Sequence, residues 1–243
     1  MTHSKIHYRD QETALTGVLV CDEARRDRRP GILVIHGGAG LDAHAEGRAR
    51  RFAELGYVVF ACDMYGDGVV GSRQRIVSCI AELRGDPRKL CQRAQAAIDV
   101  LTSHSLVDGK LAAVGYCFGG MAVLELARNG IELAGLVSVH GSLSTTRPAE
   151  PGSIKAPILV CHGALDPHGP PPHVTAFVDE MNRAAADWQL VVYGGAMHGF
   201  THETATGQTP GVQYHAPSDA RSSLAIKAFL DEIFTQVCDQ PSW

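Results

Sequence analysis

Gly115-Tyr116-Cys117-Phe118-Gly119-Gly120 is the stretch on which the reading of this chain turns. It follows an apolar run over 110–114 and leads into a stretch of helix length over 121–128. Glycines two positions before and two after a reactive residue, set between a strand and a helix, have the pattern of a nucleophile elbow with sulfur in place of oxygen. Such a turn is strained and crowded, so small residues are required at those two positions. A thiol at its apex stands above the sheet at a helix N-terminus, where the partial positive charge favours the thiolate. No Gly-x-Ser-x-Gly occurs elsewhere: Gly71-Ser72 leads into Arg73-Gln74-Arg75, and Gly141-Ser142 follows a strand but lacks the second glycine. The alternative for Cys117 is a small core residue at a tight turn between strand and helix.

Outward from the elbow, apolar runs alternate with amphipathic stretches. Strand-length runs fall at 31–35, 57–61, 110–114, 133–139, 157–161 and 189–193, and helix-length stretches at 46–55, 87–103, 121–128, 172–185 and 218–237. Continuous apolar strands suit a parallel sheet buried on both faces. The expectation is therefore an α/β-hydrolase fold: a mostly parallel sheet flanked by helices on both faces, in one domain over 1–243. Two short runs ahead of it, 5–9 and 15–20, read as an antiparallel edge. The segment 72–84, with Arg73, Arg75 and Arg84, reads as a solvated surface helix, with a lid as the alternative, and 145–153 as a surface loop.

Ligands of open α/β sheets bind beyond the carboxyl ends of the strands, so the loops there carry the remaining candidates. A nucleophilic cysteine needs a base, and the base an orienting acid, in the chain order nucleophile, acid, histidine. Asp166 lies five residues beyond the strand end at Cys161, and His198 five beyond Tyr193, so both come to the face that carries Cys117. Asp63 precedes the nucleophile and reads as a turn cap, His162 sits too early in its loop, and His140 reads as a satisfied near-core histidine. After the first buried strand, His36-Gly37-Gly38-Ala39-Gly40 resembles a loop that lends one backbone N–H to an oxyanion hole; Gly38 and Phe118 are the expected donors.

Composition narrows the partners. With 45% hydrophobic and 20% charged residues and a formal net charge of -4, nothing favours nucleic acid or an anionic membrane. The N-terminus lacks the apolar core of a signal peptide, and no apolar run approaches the roughly 18 residues of a membrane span, so a cytoplasmic enzyme is expected. Seven scattered cysteines (21, 62, 79, 91, 117, 161 and 238) form no Cys-x-x-Cys pair and read as reduced thiols. Dispersed histidines give no metal site, and the chemistry calls for no cofactor. A homodimer is compatible with this composition.

Together these stretches resemble the dienelactone hydrolase family over nearly the whole chain. The resemblance is carried by His36-Gly-Gly-Ala-Gly-Leu41, Leu55-Gly-Tyr57, Asp63-Met-Tyr-Gly-Asp67, the elbow, His162-Gly-Ala-Leu-Asp166 and His198-Gly-Phe200. It implies a cysteine hydrolase of cyclic or activated esters with Cys117, Asp166 and His198 at the triad positions. Where founding members carry a glutamate that contacts the resting thiol, this chain has Gly37, and two substrate-binding arginines are replaced by Asp67 and His202. The expected substrate is thus a small neutral ester or lactone, in a pocket including Gly37, Tyr65, Phe200 and His202, cleaved through a thioester. An activated phosphotriester is an expected side substrate, because an oxyanion hole also accommodates a pentacoordinate oxyanion. A thiol sensor without turnover and an acyltransferase are the alternatives.

Overall fold

Strand β3 (Arg29–Ile35) shows why the sheet is covered on both sides. Its Leu33 and Ile35 enter one apolar cluster and its Ile32 and Val34 another, all at most 1% exposed. The computed structural model describes residues 1–66 and 69–235; Asp67, Cys238 and the end of the helix expected over 218–237 lie outside the described residues. Within them, β1 (Thr2–Asp10), β2 (Thr13–Cys21), β3, β4 (Val58–Cys62), β5 (Val107–Tyr116), β6 (Gly135–Val139), β7 (Ile158–Gly163) and β8 (Trp188–Tyr193) form one 8-stranded sheet ordered β1-β2-β4-β3-β5-β6-β7-β8. Strand β2 runs antiparallel to β1 and β4, and every pairing from β4 through β8 is parallel. This is the expected α/β-hydrolase arrangement, with the antiparallel edge at the N-terminus.

The helices are α1 (Ala43–Glu54), α2 (Arg73–Gly85), α3 (Pro87–Thr102), α4 (Phe118–Arg128), α5 (Pro171–Arg183) and α6 (Ala216–Thr235). Helices α1 and α6 bury Ala49, Phe52, Ile226 and Leu230 on one face of the sheet; α3, α4 and α5 bury Leu90, Ala97, Leu126 and Phe177 on the other. Asp86 separates α2 from α3: its side chain accepts from the amides of Arg88 and Lys89, and Pro87 occupies the first turn, where its missing N–H costs nothing. Three buried ion pairs hold five helices in place: Arg93 of α3 to Asp10 on β1 at 2.7 Å, Arg128 of α4 to Glu180 on α5 at 2.8 Å, and Arg48 of α1 to Asp219 on α6 at 2.8 Å.

Helix α4 begins at Phe118, three residues before the expected start, so its N-terminus lies directly under the thiol. Helix α2 is largely solvated, as read from the sequence, with only Leu83 buried. Segment 145–153 is a surface loop. Cys62, at the end of β4, and Cys161, within β7 two residues short of its end, are buried free thiols whose pKa burial raises. Among the described residues, no helix is long and apolar enough to cross a membrane.

Candidate active site

Backbone crowding builds the site first. A Cβ on Gly115 would lie 2.0 Å from the Gly119 carbonyl oxygen, and one on Gly119 would lie 2.2 Å from that of Ile35. Only glycine fits either position, as the elbow pattern requires. Cys117 sits at φ 53 and ψ -112, a conformation that L-residues avoid and that persists only where its surroundings enforce it. Its amide is held at 3.0 Å from the Val139 oxygen and 3.1 Å from the His140 Nδ1 atom.

The loops after β7 and β8 bring Asp166 and His198 to this turn. The Nε2 atom of His198 stands 3.0 Å from the Cys117 Sγ atom, and its Nδ1 is 2.9 Å from Asp166 Oδ2. The other Asp166 oxygen accepts from the His168 amide at 2.8 Å, and its side chain is only 1% exposed. Charge follows geometry. Burial alone would raise the Cys117 thiol, but the hydrogen bond and charge of His198, with the amides of Gly38 and Phe118, hold it below its ordinary value. Burial works against a charged His198 too, yet bonds to Asp166 and Cys117 push it up to about 10. Asp166 is likewise held low by His198 against the effect of burial. The arrangement therefore favours a thiolate–imidazolium pair without an acidic side chain at position 37.

The amides of Gly38 and Phe118, expected as oxyanion donors, both act on the sulfur. Gly38 is oriented by a residue that the glycine pattern did not single out. His36 is fully buried; its Nδ1 donates to the Gly37 oxygen at 2.7 Å while its Nε2 accepts from the Met64 amide at 3.1 Å. A trans peptide places C=O and N–H on opposite sides, so holding the Gly37 carbonyl outward turns the Gly38 N–H inward.

Beside Cys117 and His198 lies a cavity of about 260 Å³. Gly38, Ile80, Phe118 and Met121 give it an apolar wall, and Arg84, Ser142 and Ser144 a polar end. Ile80 and Arg84 come from α2, so this solvated helix also roofs the site. The remaining pocket candidates lie elsewhere. Tyr65 is buried and donates its hydroxyl to the Gly38 oxygen at 3.2 Å, bracing the loop from behind. Phe200 is fully buried against Tyr193 and His140. His202 stacks on His44 at 3.6 Å between centroids, in the wall of a separate cavity along α1. Gly37 stays between them: a Cβ there would lie 3.6 Å from both the Cys117 Cβ and the His202 ring.

The competing residues have structural duties. Asp63 caps a turn, accepting from the amides of Tyr65 and Gly66 at 2.9 Å each. His162 is buried within β7, with Nε2 at 2.9 Å from the Gly169 oxygen. His140 is fully buried and hydrogen-bonded at both ring nitrogens.

Comparison with known proteins agrees with the fold. The model of the dienelactone hydrolase family matches residues 15–234. A dienelactone hydrolase-like promiscuous phosphotriesterase from metagenomic libraries is 40% identical, with a TM-score of 0.89 over 96% of this chain and 98% of its own. An uncharacterized protein of Caenorhabditis elegans is 37% identical over 151 residues, 60% of this chain and 95% of that protein. A putative carboxymethylenebutenolidase of Yersinia pestis is 26% identical over 206 residues, 78% of this chain and 73% of that protein.

Proposed function

The chain belongs to the dienelactone hydrolase family, and on that footing we propose that it hydrolyses small neutral or activated carboxylic esters and lactones with Cys117 as nucleophile. One observation carries the reading: the Sγ–Nε2 distance of 3.0 Å within a pair whose pKa values are displaced toward the charged forms. The Cys117 thiolate adds to the ester carbonyl carbon, and the amides of Phe118 and Gly38 receive the developing oxyanion. As the tetrahedral adduct collapses, the C–O bond breaks and Nε2–H of His198 gives its proton to the departing alcohol. The acyl group is left as a thioester. Neutral His198 then takes a proton from water, hydroxide adds to the thioester carbon, and collapse releases the carboxylic acid and restores the thiolate. Asp166 holds the ring and its charge throughout.

Peptide mapping after a rapid quench with p-nitrophenyl acetate tests the reading. A hydroxylamine-labile acetyl group on Cys117 supports it; acetylation elsewhere, with Cys117 unmodified during turnover, contradicts it. The apolar wall of Ile80, Phe118 and Met121 beside the thiol favours neutral substrates, so an aryl acetate should turn over under conditions that leave a dienelactone anion untouched. An activated aryl phosphotriester is the second substrate we propose, supported by the name of the 40% identical phosphotriesterase and by the paired amides at the thiol. Its turnover should vanish in Cys117→Ala.

A further inference from the structure

Behind the nucleophile runs a hydrogen-bond chain that the proposed reaction does not use. The Cys117 amide donates to the His140 Nδ1 atom at 3.1 Å. An amide nitrogen cannot accept, so His140 carries its proton on Nε2, which donates to the Thr201 Oγ1 atom at 2.8 Å. The Thr201 hydroxyl in turn donates to the His44 Nε2 atom at 3.1 Å, where the Arg48 Nε–H also arrives at 3.3 Å. With fixed donors at both ends, every link has one direction. Arg48 further grips the Thr201 carbonyl oxygen at 2.6 Å.

Thr201 stands three residues after His198 on the loop that carries the base, whereas Cys117 is the nucleophile itself. His140 thus ties the two halves of the pair through one rigid ring. It is held at φ 40, a left-handed conformation unusual for histidine, directly after β6. Strain kept at a buried position with both ring nitrogens bonded marks a fixed geometric duty. We propose that His140 is a positioning residue, a strut between the Cys117 amide and Thr201 that sets the spacing of the nucleophile and its base.

The inference rests on the nucleophile–base reading above. The ring itself stays uncharged. Burial, then the nearby rings of His198, His202 and His44, lower its pKa well below the ordinary value. The titratable groups around it are His198 at 5.4 Å and His202 at 5.6 Å from the loop after β8, Tyr116 at 6.1 Å from β5, His44 from α1, and Cys117. From β7, Cys161 offers its backbone oxygen to the His140 amide at 2.8 Å.

Thr201→Val cuts the strut without touching either member of the pair, and Thr201→Ser keeps the hydroxyl. His140→Asn tolerates the positive φ and retains an acceptor for the Cys117 amide, but cannot reach Thr201. The readouts are the pH midpoint of Cys117 alkylation by iodoacetamide, and kcat and KM for p-nitrophenyl acetate. A loosened pair weakens the bond that depresses the thiol. The Thr201→Val and His140→Asn midpoints should therefore rise, kcat should fall on the order of 10-fold or more, and KM should change little. Thr201→Ser should behave as wild type, and the double variant His140→Asn/Thr201→Val should lose no more than either single one. A wild-type midpoint in folded Thr201→Val and His140→Asn would overturn the strut, as would equal losses in Thr201→Ser. Alkylation reads the pair without turnover, so the strut is judged independently of whether Cys117→Ala abolishes hydrolysis.

Discussion

At the sulfur of Cys117 two effects oppose each other: burial favours the neutral thiol, while the His198 ring and the amides of Gly38 and Phe118 favour the thiolate. The second group wins, so the midpoint of iodoacetamide alkylation should lie below the ordinary thiol value of 9.0. Removing the partner removes its share. In His198→Gln burial is left opposed only by the amides, and the midpoint should move upward; a midpoint that stays put would show that the imidazole does not hold the thiolate. Nothing in this balance calls on an acidic side chain at position 37. Gly37 has room for a methyl group, with its nearest neighbours at 3.6 Å, so Gly37→Ala should fold normally and keep its thiolate.

The glycine-flanked turn at Cys117 behaves differently from that neighbouring loop. A methyl group at Gly119 would strike the Ile35 backbone oxygen, which cannot step aside within the sheet, so Gly119→Ala should cost about 3 kcal/mol or more in chemical denaturation. Loss of less than about 1 kcal/mol would mean that the turn relaxes. Helix α2 offers a separate test, because Ile80 reaches the cavity from above. Ile80→Ala removes apolar contact made equally in ground and transition states, so KM for aryl esters should rise roughly 5- to 30-fold with kcat nearly unchanged. A fall in kcat alone would instead assign α2 to positioning. These elements also show what the sequence could reveal. Cys117, Asp166 and His198 were legible because each is fixed by its distance from a strand end, and glycine spacing marks the turn directly. Phe200 was not: Gly199 adopts φ 65, and the turn after it sends the Phe200 ring into the core instead of the cavity. His202 follows the same turn onto His44, and Tyr65 points back to Gly38. Side-chain direction after a left-handed glycine, and which helix roofs a cavity, depend on tertiary packing that periodicity does not encode.

Across the whole molecule, one sheet carries all the site loops, and buried ion pairs hold helices against it. Arg128 joins α4, which begins directly after Cys117, to Glu180 on α5, with both side chains at most 5% exposed. Glu180→Ala removes one of the two carboxylates on the Arg128 guanidinium, Glu125 at 2.9 Å and the Leu143 oxygen at 2.9 Å remaining, and should cost about 1.5–3 kcal/mol. The pH dependence follows from the carboxylate. Burial would raise Glu180, but Arg128 and the Ala149 amide hold it below its ordinary value of 4.5. A depressed native value means that this stabilisation is complete above pH 4.5 and fades as pH falls through the native one. The stability gap between wild type and Glu180→Gln should accordingly be widest near neutrality and shrink in acid; a gap that widens in acid would reverse the assignment.

Stopped-flow hydrolysis of p-nitrophenyl acetate by wild type and Cys117→Ala addresses the nucleophile most directly. A burst of p-nitrophenol followed by sustained turnover is expected in wild type, both absent from Cys117→Ala. Equal rates in the two proteins would contradict it, and a burst without turnover would make Cys117 a reactive sensor thiol instead of the centre of a hydrolase.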